Sequence, residues 1–425
     1  MTAFFITLIS LVFLIITLKL FFHTTTKFKN LPPGPPFLPV IGNLHQLKQP
    51  LHHTFQTLSQ KYGQIFSLWF GYQPVVVVSS SKIAQECFTK HDIVLANRPD
   101  FLVGKYISYN NTTVALASYG DHWRNLRRIV TTELLSSHRL NSFLEIRRDE
   151  IMRLIKKLTQ VSYNDFSEVE LTSMFSEMTF NTIMRMVSGK RYYGDDSDVT
   201  DIEEARLFRN IIKEILGLGG ASNVMLVAGT DTSSVTLEWA MSNLLNNPNI
   251  LKKAKDEIDT HIGQDHLVDE CDISKLSYLQ SIVYETLRLH PAAPLLMPHL
   301  SSEEFTIEKY NIPQSTILMV NSWAIHRDPN LWTDPICFKP ERFEKEGETN
   351  KLLSFGMGRR ACPGTNLAQR TVSLTLGLLI QCFEWKRIGK EKIDMTEGNG
   401  VTVAKKIPLR VMCKLCHPLK IKDVF

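Results

Sequence analysis

The chain has 425 residues, with 48 Lys and Arg against 43 Asp and Glu, 44% hydrophobic residues and 21% charged. These fractions are ordinary for a folded globular protein and exclude wholesale disorder, a collagen-like chain and a long coiled coil. A net charge of +5 is too small to point to nucleic acid, and seven cysteines without regular spacing describe no disulfide framework, which favours a reducing compartment.

Ala3 to Phe22 is an apolar run broken by one charge, Lys19. About 20 apolar residues in a helix cross a hydrocarbon core, so this segment is expected to span a membrane. It lacks the short apolar core and small-residue cleavage site of a secretory signal. Lys19, Lys27 and Lys29 follow the run, which holds the rest of the chain on the cytosolic side. The competing reading is a buried core helix. Pro32, Pro33, Pro35, Pro36 and Pro39 then forbid helix and stiffen the chain. Residues 1–23 are therefore expected to form a membrane anchor, 24–43 a basic, proline-rich hinge and 44–425 a globular head.

Ile65–Phe70 and Pro74–Ser79 are apolar, β-branched runs flanking a turn and predict a hairpin. Helical periodicity then dominates, over Leu140–Leu158, Glu204–Leu216, Val235–Ile262, Tyr278–His290 and Asn366–Phe383. Ile307–Ile312, Thr316–Val320 and the stretch after Val401 read as strands. The fold class is mainly α, with a small β portion gathered from both ends of the chain. No helix–strand alternation supports a parallel nucleotide-binding sheet, and P-loop, GxSxG and HExxH motifs are absent.

Residues 355–364 read FGMGRRACPG and lead into an apolar helix. Gly356 and Gly358 permit a tight loop, and Cys362 stands just before the helix start, where free N–H groups favour a thiolate. Phe355, Gly358, Arg360, Cys362 and Gly364 fit the pattern F-x-x-G-x-R-x-C-x-G, so the chain resembles the cytochrome P-450 superfamily of haem-thiolate monooxygenases. The resemblance implies the cytochrome P-450 fold and haem b, with Cys362 as the axial iron ligand and Phe355, Arg360 and Gly364 in the cofactor loop. Thiolate ligation favours O–O cleavage, which is why a cysteine is required there.

Further motifs occur in the family's order. Glu285 and Arg288 form E-x-x-R, which taken alone is most often a surface ion pair. With Arg342 of Pro340-Glu-Arg342-Phe343, the resemblance implies a buried structural cluster. Asp231 and Thr232 interrupt an apolar helical run in MLVAGTDTSSV, where Gly229 and the hydroxyls are expected to loosen the helix ladder. A helix N-cap at Thr230 or Asp231 is the other reading; the resemblance makes Thr232 and Asp231 the catalytic pair that delivers protons to bound O2. Trp123 and Arg127 share one helix face and, by resemblance, hydrogen-bond a haem propionate together with Arg360 and His299. Arg124 and Arg128, with Arg139, Arg147 and Arg148 nearby, describe either a docking face for an acidic electron donor or a solvated helix face. The donor implied by the resemblance is an NADPH-dependent reductase.

AGTDTSS, YETLRLHPAAPLLMPH, NSWAIHRDP and LLIQCFEWKRIG look plant-like and most resemble the isoflavone 2'- or 3'-hydroxylase group. That implies hydroxylation of a small aromatic, flavonoid-class substrate at the endoplasmic reticulum membrane, with contacts from Tyr106, Ala228, Leu295, Leu296 and Val401. One interruption departs from the family. Trp123 and Thr232 are only 109 positions apart, and the gap falls at about 216–223. Distal helices that roof the substrate cavity are expected to be partly missing. Two readings follow: an active monooxygenase, or a truncated, non-catalytic relative that binds haem weakly or not at all.

Overall fold

The computed structural model describes residues 4–7, 9–13, 30–194, 202–217, 224–263 and 266–416. Residues 4–7 and 9–13 are helical, with Phe4, Phe5, Ile6, Ile9, Leu11, Val12 and Phe13 exposed. The rest of the expected anchor lies outside the described residues, among which no helix is long and apolar enough to cross a membrane.

In chain order, α1 (Leu51–Tyr62) precedes β1 (Ile65–Phe70) and β2 (Gln73–Val78), and α2 (Ser81–Thr89) follows. Next come α3 (Leu102–Ile107), α4 (Asp121–Ile129), α5 (Ser137–Ser142), α6 (Leu144–Ser162), β3 (Ser167–Glu170), α7 (Leu171–Ser188) and α8 (Ile202–Gly217). The long α9 (Val224–Asn246) is followed by α10 (Pro248–His261) and α11 (Ser277–Leu289). Short strands β4 (His299–Leu300), β5 (Phe305–Ile307), β6 (Tyr310–Ile312) and β7 (Ile317–Val320) lead to α12 (Ser322–Ile325). The series closes with α13 (Thr365–Cys382), β8 (Phe383–Lys386) and β9 (Arg410–Leu415). The mainly helical expectation holds, but Ile307–Ile312, read as one strand, is split by a turn at Glu308, whose φ is +50°, and its two ends pair antiparallel as β5 and β6.

The chain divides into two compact units. The first comprises Met1–Pro99, Leu295–Asp328 and Gly356–Ala361. Its sheet has the order β1-β2-β7-β4, with β2 antiparallel to β1 and parallel to β7. Alternate residues Phe66, Leu68, Val75 and Val77 face Phe55 of α1 and close a small core with Ile317 and Met319. Gly42 has φ +64°, and a Cβ there would lie 2.2 Å from the Trp69 carbonyl oxygen. Only glycine fits this approach of the hinge to β1. Gly42→Ala is expected to destabilise the protein by about 1–3 kcal/mol, read as a lowered denaturant midpoint.

The second unit comprises Asp100–Pro294, Pro329–Phe355 and Cys362–Phe425. Leu237, Ala240, Met241 and Leu244 recur at helical spacing on α9 and are fully buried. A Cβ at Gly229 would stand 3.0 Å from Ile183 Cδ1, so glycine lets α7 and α9 pack closely. The helix predicted over Val235–Ile262 is two helices, because Asn247-Pro248 interrupts the ladder and Pro248 starts α10. The one predicted over Leu140–Leu158 is likewise divided, at Phe143. A three-stranded sheet of order β3-β9-β8 completes the unit.

Candidate active site

The loop before α13 is closed by the Cys362 N–H, which donates to the Phe355 carbonyl at 2.8 Å. Gly356 and Gly358 take φ +69° and +72°. A Cβ at Gly358 would collide with Asp92 Oδ1 and with the Phe88 carbonyl oxygen, at 2.3 and 2.8 Å. The same aspartate accepts the Arg359 N–H at 3.0 Å and pairs with the Arg359 guanidinium at 3.2 Å. Asp92 thus pins the loop, a role its sequence position did not suggest.

Cys362 has an exposed side chain, yet enough protein surrounds it that desolvation pushes its thiol up. The Gly364 N–H, the Arg127 guanidinium and the Thr365 hydroxyl oppose that rise, all three favouring a thiolate. Cys416 makes the instructive contrast, because it lies at the other end of α13. Its N–H donates to Cys382 O at 2.9 Å, and Lys255 is shared between Cys416 Sγ and the last carbonyls of the helix, Ile380 and Gln381. The helix dipole favours an anion at Cys362 and disfavours one at Cys416. Cys87 and Cys413 are buried thiols pushed up to about 12 and about 11. Exposed side chain, helix N-terminus and cationic neighbour coincide at Cys362, and this donor set fits a metal that takes a thiolate.

Arg127 projects from α4, where burial lowers its pKa and Cys362 opposes that shift. Trp123, one turn earlier, gives its single indole N–H to the Val114 carbonyl at 2.8 Å. The donor that the resemblance assigned to a propionate is therefore engaged within the chain. In the first unit, Arg360 Nε donates to Ala96 O at 2.7 Å, and Arg98 donates to Met297 O and Pro298 O at 2.9 and 2.7 Å. Burial and the neighbouring Arg360 lower Arg98 to about 9. His299 Nδ1 lies 2.6 Å from Leu95 O, and burial together with Arg98 and Arg360 holds the ring well below its usual range. The carbonyl partner assigns the proton to Nδ1, so Nε2 of the neutral ring is an acceptor. A carboxylate at Nε2 would have to draw in a second proton. Within the first unit the two neighbouring guanidiniums of Arg98 and Arg360 suit an anionic group.

In the second unit, Glu285, Arg288 and Arg342 form the buried cluster the resemblance implied. Arg288 donates to both Glu285 oxygens at 2.7 and 2.9 Å, and Arg342 Nε adds a third bond at 3.0 Å. The Lys339 N–H completes the carboxylate's set at 2.7 Å. The arginines spend their remaining donors on the carbonyls of Pro335, Cys337, Thr333 and Asp334. Because its donors are spent on Glu285 and on the carbonyls of residues 333–337, the cluster ties α11 to the chain leading into the cysteine loop.

Helix α9 runs unbroken through Gly229–Ser234, so neither an N-cap at Thr230 or Asp231 nor a loosened ladder is present. The Thr236 and Ser234 hydroxyls bond back to Thr232 O and Asp231 O. The Thr402 hydroxyl donates to Asp231 Oδ2. Burial raises Asp231 above the ordinary carboxylate range, and Thr402 partly offsets this. The folded state therefore holds this proton more tightly than the unfolded chain. The resulting stability is complete in acid below the ordinary aspartate range and is lost as pH rises through the raised folded value. Asp231→Asn is expected to unfold at a higher temperature than wild type at neutral pH, with the difference closing in acid.

Comparison with known proteins decides the family. The family model described as Cytochrome P450 matches residues 32–216 and 219–413. The chain is a cytochrome P-450. Cytochrome P450 81E8 of Medicago truncatula is 67% identical over 499 positions, covering 100% of both chains. The isoflavone 3'-hydroxylase of Medicago truncatula is 54% identical, covering 97% of this chain and 98% of its own. The isoflavone 2'-hydroxylase of Glycyrrhiza echinata is 53% identical, covering 91% and 92%. Set against 425 residues, the 499-position alignment leaves 74 positions with no counterpart in this cytochrome P-450.

As a plant cytochrome P-450 the protein is a monooxygenase whose cofactor is haem iron carried on a cysteine thiolate, and it uses O2, a redox partner and a small substrate. The residues expected to meet the substrate are scattered. Leu295 packs on the core of the first unit, and Leu296 takes a left-handed φ of +52°. In the second unit Tyr106 and Val401 are exposed, and Ala228 lies in α9, with its side chain outside the described residues. The basic face loses Arg147, which is fully buried and pairs with both oxygens of Glu270 at 2.7–3.0 Å. Arg98 and Asp92 went unnoticed in the sequence, because a lone arginine before a proline and a lone aspartate carry no periodic or motif signal.

Proposed function

We propose that this cytochrome P-450 hydroxylates an aromatic plant secondary metabolite of the flavonoid or isoflavonoid class. The overall reaction takes RH, O2, two electrons and two protons to ROH and H2O. Haem, when bound, supplies the oxygen activation. We assign Cys362 as its iron ligand, Phe355 and Gly364 to the surrounding loop, and Arg127 and Arg360 to the charge balance of its carboxylates, while His299, neutral and with its one N–H given to Leu95 O, packs beside Arg98 and Arg360. Trp123 contributes packing beside Arg127 in this assignment. Asp231 and Thr232 handle the protons. Residues 1–23 anchor the chain in the endoplasmic reticulum membrane with the catalytic part facing the cytosol, and an NADPH-dependent reductase supplies the electrons.

The observation that carries the substrate class is the pair of relatives named as isoflavone hydroxylases, at 54% and 53% identity. The protein expressed in membranes with a plant reductase is expected to give a hydroxylated product from an isoflavone. A normal thiolate-type carbon-monoxide band without product from any flavonoid would overturn the substrate class. The 74 unmatched positions and the family match that stops at 216 and resumes at 219 favour a second reading. Here the helices that roof the substrate cavity are missing, and the protein is a non-catalytic relative. An open pocket admits water and diverts reducing power from the substrate. Absence of the carbon-monoxide band would decide for this second reading.

A further inference from the structure

The Thr402 side chain reaches from its loop to α9 at Asp231. The loop is braced immediately beyond it. The Val403 N–H donates to Ala292 O at 3.0 Å, and Val403 O accepts the Trp239 indole N–H at 2.8 Å. Trp239 stands about two turns along α9 from Asp231 and is stacked on His290, with ring centroids 4.1 Å apart. Trp239 and Val403 are buried, and the Gly398 N–H closes the other side of the loop on Ala404 O at 2.8 Å. The hydroxyl is thus delivered to the helix by a fixed backbone.

We propose that Thr402 is a positioning residue for Asp231, holding Oδ2 so that Oδ1 takes up and hands on the proton. This rests on the reading of Asp231 as a proton-delivering group. A threonine hydroxyl has one hydrogen to donate. Given to Oδ2, it favours the ionised carboxylate and fixes the plane in which Oδ1 lies. Burial and the Thr402 hydroxyl are the two influences on Asp231, and no charged side chain among the described residues adds to them. Asp231 then takes a proton at Oδ1 from hydronium, leaving water, and gives it to the Thr232 oxygen as the Thr232 hydroxyl releases its own hydrogen to the oxygen being reduced. The carboxylate thereby returns to its ionised form and one proton of the overall reaction is delivered.

The test compares the full haem-loaded chain as wild type, Thr402→Val and Thr402→Ser by infrared difference spectroscopy across a pH titration. Asp231→Asn identifies the carboxyl band. The pH midpoint of Asp231 is expected to rise in Thr402→Val and to stay near wild type in Thr402→Ser. With reductase and substrate, the fraction of electrons lost to hydrogen peroxide is expected to rise several-fold in Thr402→Val alone, with the carbon-monoxide spectrum unchanged. An unmoved midpoint in Thr402→Val, or equal movement in both variants, overturns the proposal. Should the valine variant lose cooperative unfolding, Thr402→Ala is read by the same criteria. The midpoint needs no turnover, so a missing carbon-monoxide band or missing product overturns the monooxygenase reading and leaves the positioning result standing.

Discussion

Replacing Cys362 by alanine is expected to abolish the thiolate-type Soret band of the reduced, carbon-monoxide-bound protein, while Cys416→Ala leaves it in place. The two thiols sit at opposite ends of α13, with an arginine and helix N–H groups at the first and carbonyl oxygens at the second. Their contrast separates loss of the ligand from general damage to the fold. Retention of the band in Cys362→Ala would assign the iron to another cysteine. The far-ultraviolet circular dichroism of both variants should match wild type, because neither sulfur supports the core.

The second large effect is expected at Glu285. Removing its carboxylate leaves Arg288 and Arg342 without the counter-charge that each contacts at 3.0 Å or less. Arg288 has no solvent exposure, so water cannot take over. Breaking one partner of a buried ionic cluster typically costs about 3–5 kcal/mol, a large share of a domain's net stability. Glu285→Ala is expected to lower the denaturant midpoint by that amount or to prevent folding. Lys157→Ala, which breaks an exposed pair with Glu177 at 3.1 Å, should change stability by less than about 0.5 kcal/mol. Equal effects at the two sites would remove the structural role of the cluster.

These contrasts show how unevenly the sequence was legible. The cysteine loop could be read because its glycines answer to local backbone conformation and its cysteine to a helix start, both encoded within ten residues. The β1–β2 hairpin and α11 were legible for the same reason, each carrying its own periodicity and breakers. Helix α7 was not. Leu171, Phe175, Met178, Thr179, Phe180, Asn181 and Thr182 are all buried, so its apolar and polar residues face protein alike and no stripe marks one side. The Asp231–Thr402 and Asp92–Gly358 contacts were equally invisible. They join residues far apart in sequence through single hydrogen bonds or steric limits, and nothing in either partner's neighbourhood announces the other.

The order β3-β9-β8 places the latest-made of the described strands in the middle of its sheet. Arg410 of β9 pairs with Glu168 of β3 across a separation of 242 residues. At roughly 5–20 residues per second, β3 leaves the ribosome on the order of ten to fifty seconds before its partner is made. During that wait its backbone N–H and C=O groups form an open edge, able to recruit other chains. Assembly of this unit is therefore gated by translation, and its yield should depend on how fast the last stretch is synthesised. Slowing translation between β8 and β9 with rare codons is expected to increase the aggregated fraction; an unchanged fraction would mean that β3 is protected during the delay.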